Sequence, residues 1–313
     1  MSAYERFNKV RKIVSHLGCH DGIASTMMAH KGLTLAHSEP EVLWLSPGSD
    51  ALKNLEVEPG MLFVDLSPPE ARFKEFLEGG TMVFDHHPTA EKVVRAFEEA
   101  GQGKFENGPE HCGATLAFEH IYKPMCEENQ YPNTHLTAAK AFADLAAIRD
   151  NFVTDHEDWS KAMVQSEVLT FFPWKHWDYH APYLTEDEKY LGKVLLERNQ
   201  GRIEWIAKNA MHTEFDGLHV AVFQANGRMT SDTFEHLRKT EGVQIGFGFN
   251  FIKHEDGHMM LVFAVRSTDD FDAGSFCKKW GGGGHYKAAG FNIKMNYNES
   301  PYKTVTRLLN HDW

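Results

Sequence analysis

Short apolar runs alternate with helix-compatible stretches over the first 90 residues. KIVSHL, EVLWLS, MLFVDLS and TMVFDHH read as strands, with GIASTMMAHKG and PPEARFKEFLEGG as helices between them. Strand, helix, strand at this spacing predicts a parallel sheet with crossover helices. From about residue 113 to 150 the pattern turns helical. GATLAFEHIYK is followed by TAAKAFADLAAIRDN, where Ala141, Leu145 and Ile148 recur three and four apart and Asp150 closes the helix. Residues 153–190 read as irregular and aromatic, with Phe171, Phe172, Trp174, Trp177, Tyr179 and Tyr183, a loop expected to cover a core rather than to stack bases. TEDEKYLGKVLLERNQGRIEWIAKNA reads as a polar connecting helix. After about residue 216 the chain restarts with LHVAVFQAN and with two alternating runs in VQIGFGFNFIKHEDGHMMLVFAVRS, joined at Glu255-Asp256-Gly257. The expected fold is α/β in two domains, with the boundary between 190 and 216.

The polar residues of the first part sit at strand ends. His16 and Asp21 follow the first run, Asp65 ends the third, and Asp85-His86-His87 ends the fourth. In open α/β sheets the carboxyl ends of the strands open into one crevice, so these groups should converge there together with Asp150. Ionisable groups at the mouth of a core are costly unless something charged, such as a metal ion, compensates them. His16, Asp21, Asp65, His86 and Asp150 are therefore candidate ligands, with Asp85 and His87 beside them. Carboxylate oxygen with imidazole suits Mn²⁺ or Mg²⁺ better than a thiophilic metal, and a pair of such ions would serve phosphate chemistry. Any one strand-end aspartate is most often a cap or turn residue; the signal is their convergence. Asp144 competes with Asp150, but lies mid-helix where Asp150 ends the helix.

Composition narrows the ligand. A formal charge of -12 opposes general attraction to long duplex nucleic acid, and leaves room for a small anion bridged by metal. Cys19, Cys112, Cys126 and Cys277 form neither a CxxC pair nor a disulfide framework, which fits a reducing cytoplasm. MSAYERFNKVRK has no apolar leader core, and no apolar run reaches membrane-spanning length, so no membrane partner is expected. A second constellation lies late in the chain: Arg266, Ser267, Gly281 to Gly284 and His285. Successive glycines let backbone N–H groups approach a phosphate, and arginine can bind one bidentately.

HLGCHDGIAS, FVDLSP, FDHHPT and AIRDNF, in that order, resemble the four motifs of the DHH phosphoesterases, and GGGGHYKAAGF at 281–291 resembles the signature of their DHH-associated C-terminal domain. The resemblance covers nearly the whole chain. A DHH tripeptide alone is a weak signal; its combination with GGGGHxxAAGF is a strong one. The resemblance implies a parallel-sheet DHH catalytic domain with flanking helices at 1–190, a helical linker at 191–215, and a smaller α/β substrate-binding domain at 216–313. It makes Asp21, Asp65, His86 and Asp150 metal ligands, with His16 a further one and Asp65 bridging two ions of Mn²⁺ or Mg²⁺. His87 would lie beside the scissile phosphate and Asp85 would orient a histidine. Arg266, Ser267, Gly282, Gly283, Gly284 and His285 would bind the nucleotide. Many members carry an acid two positions before Asp21, where this chain has Cys19; His16, Cys19, Asp21 and Gly22 match the HxxCxDG of an oligoribonuclease-like subgroup.

The implied activity is metal-dependent hydrolysis of short nucleic acids, dinucleotides or oligoribonucleotides, to mononucleotides, as in nanoRNase-like enzymes. The alternatives are a RecJ-type single-strand DNA exonuclease, a phosphatase of cyclic dinucleotides or nucleoside bisphosphates, and a non-catalytic nucleotide-binding protein. The pyrophosphatases of the superfamily lack the glycine-rich signature. Expected partners are the short oligonucleotide or dinucleotide and, at most, a second copy in a homodimer.

Overall fold

A computed structural model describes residues 2–177, 180–225, 227–253, 257–284, 286–296 and 298–310. The chain forms two compact units, Met1–Leu196 and Glu197–Trp313. The first contains α1 (Ala3–Phe7), β1 (Lys12–His16), α2 (His20–Leu35), β2 (Glu41–Leu45), α3 (Asp50–Lys53), β3 (Met61–Val64), α4 (Phe73–Glu78), β4 (Met82–Asp85), α5 (Glu91–Glu99) and β5 (Gly103–Phe105). Then come α6 (Gly113–Ala117), a π turn at Phe118–Tyr122, α7 (Lys123–Glu128), α8 (Asn133–Asp150), α9 (Trp159–Phe171), α10 (Trp174–Trp177) and α11 (Glu186–Lys208), which runs on into the second unit.

The strands form one parallel sheet in the order β2-β1-β3-β4-β5. Alternate residues serve its two faces. Ile13, Leu62, Val64 and Phe84 pack with α2, α6 and α8 on one side. Val14, Met61, Phe63 and Val83 pack with Phe76 and Phe97 on the other. Covering both faces is why the central strands read as continuous apolar runs; each fully buried large side chain contributes roughly 1.5–3 kcal/mol. Ala139, Ala143 and Ala146 line one face of α8 in the same cluster as Ala24 and Met28 of α2. Small side chains at this spacing let the helices lie close, which brings the end of α8 to the end of the sheet.

Three local expectations change. Residues 159–171 are a helix, α9, rather than irregular chain. Its buried residues include Gln165, Ser166 and Glu167, so no apolar stripe announces it; the Gln165 amide donates to the Phe142 carbonyl at 2.8 Å. β5 and β6 (Met211–Phe215) are strands that the sequence pattern did not single out, one very short and the other an edge strand with mostly exposed side chains. In PPEARFKEFLEGG only Phe73–Glu78 is helical. The aromatics behave as expected of a core cover: Trp177 is fully buried and donates from its indole to Leu169 O (3.2 Å), and Trp174 packs edge-on against Trp44. Tyr179 lies outside the described residues.

The second unit orders its strands β10-β11-β9-β8-β7-β6. β7 (Leu218–Gln224) and β8 (Ile245–Lys253) are parallel, joined through α12 (Arg228–Glu241); every other pairing is antiparallel, including β8 with β9 (Met259–Ser267). α13 (Ala273–Lys279), β10 (Gly283–Gly284), β11 (Ala288–Lys294) and α14 (Pro301–Leu309) complete it. Val220, Phe247, Phe263 and Phe291 pack with Phe276 and Leu308 on one face, and Ala221 and Phe223 pack with Phe234 and Leu237 of α12 on the other. The turn residues Glu255 and Asp256 lie outside the described residues. Among the described residues no helix is long and apolar enough to cross a membrane.

Candidate metal centre

The strand order of the parallel sheet reverses between β1 and β3, and in open α/β sheets such a reversal opens a crevice at the carboxyl ends. Ser15 is level with Val64 in that pair, so His16 and Asp65 leave adjacent strands side by side. Their gap is 3.6 Å from His16 Nδ1 to Asp65 Oδ2. Asp65 makes the exit with φ of +54°, a conformation uncommon outside glycine and costing roughly 1–2 kcal/mol. Its N–H donates to Phe84 O (3.1 Å), which ties the strained residue to β4.

His86 closes the other side. Its Nε2 is buried without a hydrogen-bond partner, yet stands 3.3 Å from Asp65 Oδ1, 3.5 Å from Asp150 Oδ2 and 3.7 Å from Asp21 Oδ2. A ring nitrogen surrounded by three carboxylates is where a divalent cation could replace the proton, and hard oxygens with one imidazole suit Mn²⁺ or Mg²⁺. The residues present therefore fit a metal. Asp65 faces two donor sets at once. Its Oδ2 looks to His16 and to Cys19 Sγ (3.2 Å), and its Oδ1 to His86 and, at 3.9 Å, to His87 Nδ1.

Asp21 sits in the first turn of α2, fully buried. Its Oδ2 accepts the Gly113 N–H at 2.6 Å and its Oδ1 the Ala114 N–H at 2.8 Å. Burial, then repulsion from Asp65 and Asp150, pushes its carboxyl well above the usual range, while these amides orient it toward His86. Gly113 is required here: a Cβ would stand 2.5 Å from Asp65 Cβ and 3.0 Å from Asp21 Oδ2. Neither amide was foreseen from the sequence, whose only hint is a glycine opening a helix after Cys112.

Burial opposes the charge on His86, but Asp65 and Asp150 raise its pKa to about 9. Burial likewise opposes His87, and Asp85, at 2.7 Å from its Nδ1, raises it to about 10. Asp65 is buried too, yet the His16 and His86 contacts hold it well below the ordinary carboxylate value. Asp85 also accepts the His87 N–H (3.1 Å) and the Ser67 hydroxyl, so it fixes both backbone and ring of His87. Cys19 caps α2 by accepting the Gly22 N–H at 3.0 Å. Burial and then the carboxylates push its thiol well up, and the protonated sulfur donates to Asp65.

His16, Asp21, Asp65, Asp85, His86, His87 and Asp150 are thus brought into one cluster. Asp144 is not; it pairs with Lys140 at 2.7 Å on the outer face of α8.

In the second unit Arg266 and Ser267 end β9. The Arg266 Nε donates to Ser231 Oγ (2.9 Å) and its Nη1 to Val265 O (2.9 Å), and burial lowers its pKa. The Ser267 hydroxyl donates to Phe271 O at 2.7 Å. Part of the glycine run has a packing reason. A Cβ on Gly282 would stand 2.1 Å from Gly290 O, and one on Gly284 2.5 Å from Ala289 Cα, because β10 lies against β11. Gly283 has open space instead. His285 lies outside the described residues.

No family model and no curated protein matches the chain. Solved structures do. The fold is similar to that of an exonuclease RecJ bound to manganese, with a TM-score of 0.59 at 14% identity over 99% of this chain and 94% of that one. It is similar to a pGpG-specific phosphodiesterase from a Vibrio species (0.54, 13% identity, 97% and 100% covered). An exopolyphosphatase-related protein from Bacteroides fragilis also matches (0.54, 12% identity, 99% and 94% covered). These neighbours are DHH-family phosphoesterases, and the chain has their fold.

Proposed function

We propose that this chain, built on the fold of the DHH phosphoesterases, is a divalent-metal-dependent phosphodiesterase that hydrolyses dinucleotides and short oligoribonucleotides to mononucleotides. The observation that carries the reading is Asp65. Its Oδ2 faces His16 and its Oδ1 faces His86, which in turn adjoins Asp21 and Asp150, so it would serve ions held on either side of it. The solved RecJ neighbour described above is bound to manganese. The acidity of the chain favours a short substrate over a hold on long nucleic acid.

His16, Asp21, Asp65, His86 and Asp150 would hold the ions. Such ions, when bound, supply Lewis acidity toward phosphate and activate water. The remaining steps belong to the protein. His87, partly exposed and kept protonated by Asp85, donates to a phosphate oxygen where charge grows in the transition state. Asp85 positions it and gains no proton itself. In the second unit Arg266, at the end of β9, offers its guanidinium to a phosphate.

The test is a length series of labelled RNA and DNA, from the dinucleotide upward, with Mn²⁺ and with excess chelator. Fastest turnover of diribonucleotide supports the proposal. Activity that persists in chelator, or that rises steadily toward long single-stranded DNA, overturns it. Tight binding without turnover under any divalent metal makes the chain a binding protein.

A further inference from the structure

A second cluster of ligand-type side chains lies outside the crevice and shares no residue with it. His176 Nε2 and His180 Nε2 both point at one oxygen, Oε1 of Glu188, at 2.8 and 3.0 Å. Each of the three is separately oriented. The His176 ring stacks on Phe172 with centroids 4.0 Å apart and planes 12° apart. Glu188 is fixed by the start of α11: its Oε2 accepts both the N–H and the hydroxyl of Thr185 at 2.8 Å. His180 Nδ1 lies 2.7 Å from Ala181 O. A carbonyl can only accept, so Nδ1 carries the hydrogen, and in a neutral imidazole Nε2 is then a bare lone pair.

Either a proton on Nε2 or a metal cation can stand between His180 and the carboxylate, and a cation placed there is within reach of His176 Nε2 as well. Burial works against ionisation of Glu188, but the His176 and Thr185 hydrogen bonds hold its carboxyl below the usual range. Thr185 engages Oε2, and both imidazoles converge on Oε1.

We propose that His176, His180 and Glu188 form a zinc site that clips α10 to the first turn of α11. Two imidazoles and one carboxylate are a known zinc donor set, and ring nitrogens held by a carbonyl or carboxylate on the far side are typical of metal-binding histidines. Ligand atoms around a tetrahedral zinc with bonds of about 2.0–2.1 Å stand roughly 3.3 Å apart, so a few tenths of an ångström of outward movement admits the ion. His176 is about a third exposed (34%), which leaves the fourth position to water. Softer than the oxygen-rich crevice, the site should keep zinc when excess Mn²⁺ occupies the crevice.

The test uses the full-length protein, stripped with chelator, then equilibrated with zinc in the presence of excess Mn²⁺ and dialysed. Zinc per chain is measured by elemental analysis and melting temperature by calorimetry. In the variant His176→Gln/His180→Gln the amides can still donate to Glu188 but bind zinc poorly. Wild type should retain one zinc that this variant lacks, and Asp65→Asn should retain it as well. Zinc should raise the melting temperature of wild type by several degrees and leave the double variant unmoved. If the double variant does not fold, His176→Gln alone, at the exposed ligand, should lose zinc affinity at least tenfold with an unchanged zinc-free melting temperature. Equal zinc content in wild type and variant, or wild type without retained zinc, overturns the proposal. Neither result depends on nuclease activity.

Discussion

Asp65 Oδ1 and His86 Nε2 stand 3.3 Å apart at the ends of neighbouring strands, and the histidine nitrogen has no hydrogen-bond partner. Asp65 is strained and buried, and its other oxygen serves a second donor set. Two sets of contacts thus depend on one side chain. Asp65→Asn should lower phosphodiesterase turnover on the order of 10³-fold or more, by weakening both sets of contacts. Asp144→Asn, which only breaks a surface pair with Lys140, should leave turnover within about twofold and cost at most about 0.5 kcal/mol. Initial rates and Mn²⁺ titrations of the two variants check this.

The pair of Asp85 and His87 predicts a different phenotype. Asp85→Asn leaves the ring in place but removes the charge that keeps it protonated, so turnover should fall about 10- to 100-fold with Mn²⁺ affinity nearly intact. The upper limb of the pH–rate profile should move to lower pH, because His87 would lose its proton earlier. An unchanged profile would remove His87 from the reaction.

Protonation and metal compete in the crevice. With its pKa near 9, His86 is protonated at neutral pH when no cation is present, and must release that proton to ligate one. Mn²⁺ affinity should therefore rise about tenfold per pH unit from neutrality toward pH 9, then level. Calorimetry in buffers of different ionisation enthalpy would count the proton released. The metal-free protein should behave in the opposite sense. The pKa values of both histidines are raised above their ordinary 6.5, to about 9 and about 10. Their contribution to stability is full below pH 6.5 and is lost as pH rises through these values. Melting temperature in chelator should fall over that range, and Mn²⁺ should reverse the trend.

Gly113→Ala tests the amide cradle of Asp21. A methyl group there would press on Asp65 Cβ and on the Asp21 carboxylate. Overpacking of this kind costs roughly 1–3 kcal/mol, which should appear in thermal unfolding. Mn²⁺ affinity should fall by a larger factor than the stability loss implies, because the methyl displaces two ligands. Loss of stability with unaltered Mn²⁺ affinity would mean the cradle is structural only.

The sequence by itself determined the parallel sheet and the roster of strand-end groups. Apolar runs such as MLFV and MVFD are buried on both faces, so their pattern is local and strong, and the acids and histidines that end them stand out against it. The resemblance to the DHH phosphoesterases rests on those same residues together with AIRDNF and the distant GGGGHYKAAGF. What only the tertiary structure decided is how the groups divide. Asp150 is preferred over Asp144 because it ends the helix, and the face of α8 that turns to the sheet places it against His86 while Asp144 pairs with Lys140. The Gly113 and Ala114 N–H groups bind Asp21 across about 90 residues of chain, and backbone donors leave no side-chain signature. α9 was unreadable because Gln165, Ser166 and Glu167 are buried by neighbours that no local pattern reveals. The double role of Asp65 depends on β1, β3 and β4 lying side by side, a fact of sheet order rather than of any residue in them.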